Sequence, residues 1–209
     1  MRTKIFDGQD QAAIEEAAGI LKAGFLVAFP TDTVYGIGAK ASDSRAIDRL
    51  YRVKERSYDK GIPILIADVR DLPKLTHEIS PSARQLIDDY WPGPLTIILP
   101  RQNNLPTNIS PDNTLAVRIP DNEIARRFIR AAGGAVAASS ANRSGKSPAL
   151  SVPEVIEALG SDVEAVLDGG PAQIGLASTI VDFTSDSPKV TRLGPIRLEE
   201  LQLDRMKPC

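Results

Sequence analysis

A chain of 209 residues with 42% hydrophobic and 25% charged side chains can bury about 70% of its unfolded surface and needs no disulfide or metal staple. Its net charge of −2 excludes a polycationic nucleic-acid binder, so any polyanion must be met by local clustering of cations. One cysteine, Cys209, and one histidine, His77, exclude an internal disulfide framework, a cysteine metal site and the usual His-rich zinc or iron cluster.

The N-terminal stretch reaches Asp7 without an apolar core, and no apolar run approaches the roughly 20 residues of a membrane span. A cytoplasmic protein with no membrane contact is the expectation. From residue 10 to 24, Ala13, Ile14, Ala17, Ala18 and Leu21 recur at helical spacing and stop at Gly24, which predicts a helix. Residues 25–29 form an unbroken apolar run halted by Pro30, the pattern of a buried strand. Ser42 or Asp43 caps a second helix whose face carries Ile47, Leu50, Tyr51 and Val53. Residues 62–67 predict another strand, and Ser80-Pro81 opens a helix through Asp89.

Trp91-Pro92-Gly93-Pro94 forces a rigid corner with a buried indole, and residues 95–99 return as a strand. Residues 114–119 predict a strand, followed by a helix capped by Asp121 that Gly133-Gly134 ends after Ala132. Strands follow at 135–139 and 163–167, separated by a short helix opened by Ser151 and Pro153. Residues 179–183 and 190–192 complete the sheet, with a terminal helix from Arg197. Strands and helices mix without strict alternation. That order predicts an α+β fold in a single domain over residues 1–209: three layers, α/β/α, with a twisted, mostly mixed sheet between helices on both faces.

Three segments carry the candidate chemistry. Phe29-Pro30-Thr31-Asp32-Thr33-Val34-Tyr35-Gly36-Ile37-Gly38 ends a strand in small and hydroxylated residues. Lys54-Glu55-Arg56 is a cationic fork, and Ser139-Ser140-Ala141-Asn142 is a strand end rich in neutral donors. Arg52, Lys54, Arg56 and Lys60 cluster at a helix end, where cations also complement the helix dipole. Arg118 and Arg192 add charge at two further strand ends, and Thr33, Thr114 and Ser178 add hydroxyls. Like charges brought together are costly unless an anion neutralises them, and Arg forks with hydroxyls divide phosphate oxygens well. The pattern describes a concave site for a polyanion, with no nucleophile and base pair.

Other signals are weaker. Gly145-Lys146-Ser147 is not a phosphate loop, because Ser140 stands where that pattern needs Gly and Pro148 blocks the receiving helix. It reads as a flexible polar loop in which Lys146 and Ser147 can still touch an anion. Gly36 and Gly38 lack the third glycine of a dinucleotide loop and read as a backbone kink beside a ligand. Asp32 reads as fixing its turn rather than holding Mg²⁺ through water. His77 reads as a surface or packing residue.

With these motifs in order, the chain resembles the YrdC-like family of threonylcarbamoyl-AMP synthases. The resemblance runs from residue 29 to 195. It is carried by Pro30-Thr31-Asp32-Thr33-Val34-Tyr35-Gly36, Lys54-x-Arg56, Trp91-Pro92-Gly93-Pro94-Leu95-Thr96, Ala116-Val117-Arg118, Ser140-Ala141-Asn142, Ser178-Thr179-Ile180 and Arg192-x-Gly194-Pro195. It implies a twisted mixed sheet with a basic concave groove, and synthesis of threonylcarbamoyl-AMP and pyrophosphate from L-threonine, bicarbonate and ATP with Mg²⁺. It further implies that Thr33, Arg118, Ala138 and Ser178 hold threonine. Lys54, Arg56, Lys60, Thr114, Ser140, Ser147 and Arg192 would hold ATP, with Lys54, Arg56, Ser140 and Asn142 as the catalytic core and no protein metal ligand. The product would pass to a tRNA-modifying threonylcarbamoyl transferase.

Three departures stand out. Ser57 and Gly61 occupy positions where many members have Pro, which implies a more mobile loop after Arg56. Leu65 stands where some longer members carry a His near threonine. The chain stops soon after Gly194-Pro195, as in short members without the C-terminal extra domain. Two other readings use the same residues. A basic groove could accept the backbone of tRNA or another RNA directly, and a carbamoyl-transfer domain related to hydrogenase maturation shares the fold.

Overall fold

Residues 3–185 and 187–203 are described by the computed structural model; Cys209 and the first two residues lie outside them. The helices begin where their capping chemistry dictates. In α1 (Gln11–Lys22) Asp10 accepts from the Ala12 N–H, and Ile14, Ala17, Ala18 and Leu21 form the buried stripe. Of the two candidate caps for α2 (Ser44–Lys54), Asp43 is the one used; its carboxylate takes the Arg45 and Ala46 N–H groups. In α3 (Pro81–Tyr90) Ser80 accepts from Ala83, with Pro81 in the first turn. α4 (Glu123–Ala131) corrects the expected cap: Asn122, not Asp121, accepts from Ala125. Asp121 instead pairs with Arg126, and its N–H donates to Asp32. α5 (Val152–Leu159) and a final turn, α6 (Leu198–Leu201), follow.

Among the described residues ten strands form one sheet: β1 (Lys4–Asp7), β2 (Val27–Phe29), β3 (Gly36–Lys40), β4 (Ile64–Ile66), β5 (Leu95–Pro100), β6 (Thr114–Arg118), β7 (Ala135–Ser140), β8 (Ala165–Asp168), β9 (Thr179–Asp182) and β10 (Lys189–Arg192). Their order is β1-β8-β2-β3-β7-β4-β6-β5-β9-β10. Parallel pairs such as β4 with β6 and β5 with β9 alternate with antiparallel ones such as β3 with β7 and β5 with β6, so the sheet is mixed. β1 and β3 are strands that the apolar pattern did not announce. β3 also corrects the reading of its glycines as a kink, because it pairs in regular register with β2 and β7. Gly38 is required by what faces it: a Cβ there would lie 2.7 Å from the Val136 Cγ1 and 2.9 Å from the Phe29 ring.

Alternation along the strands sorts side chains to two faces. One face is covered throughout by α2, α3 and α5, whose apolar stripes meet Ile64, Ile97, Val117, Ala137 and Val181. On the other face α1 and α4 pack together, with Phe29 and Phe128 rings 5.0 Å apart, over Val136, Ala165 and Leu167. That two-helix layer covers only the β1 to β4 half. Among the described residues, the same face of β6, β5, β9 and β10 carries no α-helix, and the cleft described next lies there.

Candidate functional site

Thr96 and Ile98 of β5, Ala116 and Arg118 of β6 and Ile180 of β9 floor a cleft of about 350 Å³ on that uncovered half. Each is the alternate residue to a core position, so period-two patterning alone places them there. The cleft walls come from loops at strand ends: the segment following β2, the 59–63 loop after α2, and the 109–112 turn.

One corner is built on Arg118, which is 5% exposed. Its Nη2 pairs with the Asp32 carboxylate at 2.5 Å, Nη1 donates to Thr33 Oγ1 at 2.8 Å and Nε donates to the Gly93 carbonyl at 2.8 Å. Thr33 is in turn fixed by Thr31, whose hydroxyl also donates to the Val34 carbonyl at 2.6 Å. A second corner joins Arg192, Ser178 and Thr96. Arg192 donates to the Ser178 carbonyl at 2.9 Å and its hydroxyl at 3.0 Å, and that hydroxyl lies 2.7 Å from Thr96 Oγ1. A third corner holds Arg56, whose fork donates to the Lys60 and Gly61 carbonyls of its own loop. Arg56 and Arg192 thus have only neutral partners for their hydrogen bonds.

Burial weakens the hold of all three guanidinium groups on their protons. Mutual repulsion adds to this, since the Arg56 charge acts on Arg192 and the Arg192 charge on Arg118, while Asp32 opposes it at Arg118. A polyanion entering the cleft would relieve that repulsion.

Behind the wall lies a different arrangement. Lys54 is 1% exposed, and its ammonium donates to the Ser140 carbonyl, the Asn142 carbonyl at 2.8 Å and Asn142 Oδ1 at 3.3 Å. Burial, with the Arg56 charge adding, pushes its pKa down to about 7. The Ser140 hydroxyl donates to Asn142 Oδ1, and Asn142 Nδ2 donates to the Arg143 and Lys146 carbonyls. This knot shapes the end of β7.

Thr33, Arg56, Thr114, Arg118, Ala138, Ser140, Ser178 and Arg192 therefore line one cleft, as their motifs led us to expect they would lie together. Lys54 and Asn142 sit behind it as internal supports, and Lys60 and Ser147 are exposed away from its lining. Thr114 already donates its hydroxyl to Asp112. Sequence reasoning missed Thr96 as a site residue. Its signal was present, a hydroxyl breaking the apolar run at a position that alternates away from the core. The indole of Trp91 is buried as expected and donates to the Leu95 carbonyl at 2.7 Å.

A protein-held Mg²⁺ does not fit these residues. Among the described residues no three His, Cys, Asp or Glu side chains come together. Asp32, the carboxylate of the first motif, is committed to Arg118, and a guanidinium beside it repels a dication. No described helix is long and apolar enough to cross a membrane.

Comparison with known proteins identifies relatives of the chain. The Sua5/YciO/YrdC family model, which carries the description telomere recombination, matches residues 19–194. The threonylcarbamoyl-AMP synthase of Pyrococcus abyssi is 42% identical over 90% of this chain and 56% of its own length. That of Bacillus subtilis is 38% identical over 90% and 55%. The chain thus spans about half the length of these curated relatives. The P. abyssi Sua5 structure, solved in complex with L-threonine, superposes with a TM-score of 0.93 at 38% identity, covering all of this chain and 62% of that one. Escherichia coli YciO superposes with a TM-score of 0.84 at 25% identity, over 96% of this chain and 98% of its own. The matched segment, the shared sheet and the cleft motifs lead to one assignment: this chain belongs to the Sua5/YciO/YrdC family.

Proposed function

We propose that the chain is an L-threonylcarbamoyladenylate synthase, a nucleotidyltransferase that uses L-threonine, bicarbonate and magnesium ATP. The observation that carries this reading is the convergence of Arg56, Arg118 and Arg192, with the Thr33, Thr96 and Ser178 hydroxyls, on one cleft. In the reaction the threonine amine adds to bicarbonate with loss of water. A carbamate oxygen then attacks the α-phosphorus of ATP, and pyrophosphate leaves. Both partners are anions, so the obstacle is repulsion and alignment, which fixed cations and preorganised donors lower.

In this reading Thr33, Arg118, Ala138 and Ser178 form the threonine end. Its support is that they line the same cleft and that the P. abyssi relative was solved with L-threonine. Arg56, Ser140, Thr114 and Arg192 face the nucleotide phosphates. Lys54 and Asn142 act through Ser140 rather than on the phosphates, and Lys60 offers Arg56 a carbonyl. The chain acts as a single domain in the cytoplasm; the one-domain reading is supported by one continuous sheet from β1 to β10 across the described residues. The product passes to a tRNA-modifying transferase.

The test is incubation with magnesium ATP, L-threonine and bicarbonate while pyrophosphate is followed. Release should require both threonine and bicarbonate; release indifferent to threonine, or none, overturns the assignment. Replacing Arg56 with Ala should slow turnover by about a hundredfold.

A further inference from the structure

The last strand makes an irregular approach to the site. β10 pairs with β9 in register at Lys189 and Val190, opposite Asp182 and Val181, but Arg192 then lies opposite Ile180. One residue has been inserted, a β-bulge. The consequence is large because side chains alternate: a one-residue slip exchanges the two faces of a strand. Without the bulge Arg192 would fall opposite Thr179, which faces the core and is fully buried. With it, Arg192 shares the cleft face with Ile180.

Something must hold the strand in this shifted register. The Thr179 hydroxyl accepts from the Gly194 and Ile196 N–H groups and donates to the Ile196 carbonyl, all at 3.1 Å. One hydroxyl has one proton and two lone pairs, so all of its capacity is spent on the segment just past the bulge. Gly194 lies so close to the start of β9 that a Cβ would be 2.4 Å from the Ala177 carbonyl and 2.4 Å from the Thr179 nitrogen. Both neighbours are backbone and cannot swing aside.

From this geometry we infer that Thr179 and Gly194 are positioning residues, which lock the shifted register and thereby keep Arg192 on Ser178 and facing the cleft. Neither lines the cleft. The inference rests on the nucleotide reading only for its functional consequence; the register lock itself is independent of it.

The experiment is a double-mutant cycle read by calorimetric titration of magnesium ATP, with melting temperatures recorded alongside. Arg192→Ala should weaken ATP binding about tenfold, and Thr179→Val should do nearly the same. The double variant should bind no worse than Arg192→Ala alone, while Thr179→Ser, which keeps the hydroxyl, stays within about twofold of wild type. Wild-type binding in Thr179→Val, losses that multiply in the double variant, or a serine variant as weak as valine would each overturn the proposal. If valine prevents folding, Thr179→Ala takes its place and is judged by the same results. A wild-type protein that ignores ATP would sink the nucleotide reading alone. The lock is then judged by the NMR signal of the Arg192 Nε–H, which the serine variant should retain and the valine variant lose or shift. An unmoved signal in the valine variant overturns it.

Discussion

The arginines of the cleft are held in different ways. Arg118 is paired with Asp32 in a buried site, so removing it strands a carboxylate away from water. Arg118→Ala should therefore lower unfolding free energy by about 3–5 kcal/mol, whereas Arg192→Ala, which loses hydrogen bonds to Ser178, should cost about 1 kcal/mol. Urea midpoints distinguish them; equal losses would contradict the difference between an ion-paired arginine and one held by neutral partners. Lys54 has its own signature. Its native pKa is pushed down to about 7 from 10.5, so between those values the unfolded chain holds a proton that the native protein has released. Stability from this group must then rise with pH across that window. Wild type should gain on Lys54→Met between about pH 6 and about pH 9, and parallel urea midpoints would count against the lowered pKa of Lys54. The residue types of the site were legible in the sequence, since Arg, Thr and Ser at strand ends announce themselves. Which of them face the cleft was not. Lys54 and Arg56 are two residues apart, yet one is spent on the β7 end and the other lines the cavity.

Elements were legible where one local rule governed them. Apolar runs bounded by Pro or Gly marked β2, β4, β5, β6 and β7, and Ser80-Pro81 fixed the start of α3. β1 was hidden because it is an edge strand with mostly exposed side chains, stabilised by pairing with β8 across the length of the chain. β3 was hidden because glycine disfavours strands locally, while here Gly38 is demanded by Phe29 above it. Asp121 and Asn122 were equivalent caps by composition, and a tertiary bond from Asp121 to Asp32 decided between them. The glycines of α1 and β3 give opposite predictions. Gly38→Ala should destabilise by about 1–3 kcal/mol through overpacking. Gly19→Ala, with nothing within 4 Å of the new methyl, should stabilise by about 0.5–1 kcal/mol. Urea unfolding of the two variants checks both signs.

At the scale of the molecule, function follows from unequal coverage of one sheet. Helices pack on one face, but α1 and α4 reach only half of the other, and the cleft lies on the remaining strands. A net charge of −2 coexists with three arginines on one cleft, whose lining also includes Asp59 and Asp112. Binding of a nucleotide should accordingly weaken as salt screens the cleft. The most direct measurement is calorimetric titration of magnesium ATP into wild type and Arg56→Ala, with L-threonine present. The account predicts saturable binding to one site, weakened about tenfold or more by the substitution. Binding of equal strength in the two proteins, or none in wild type, would contradict it.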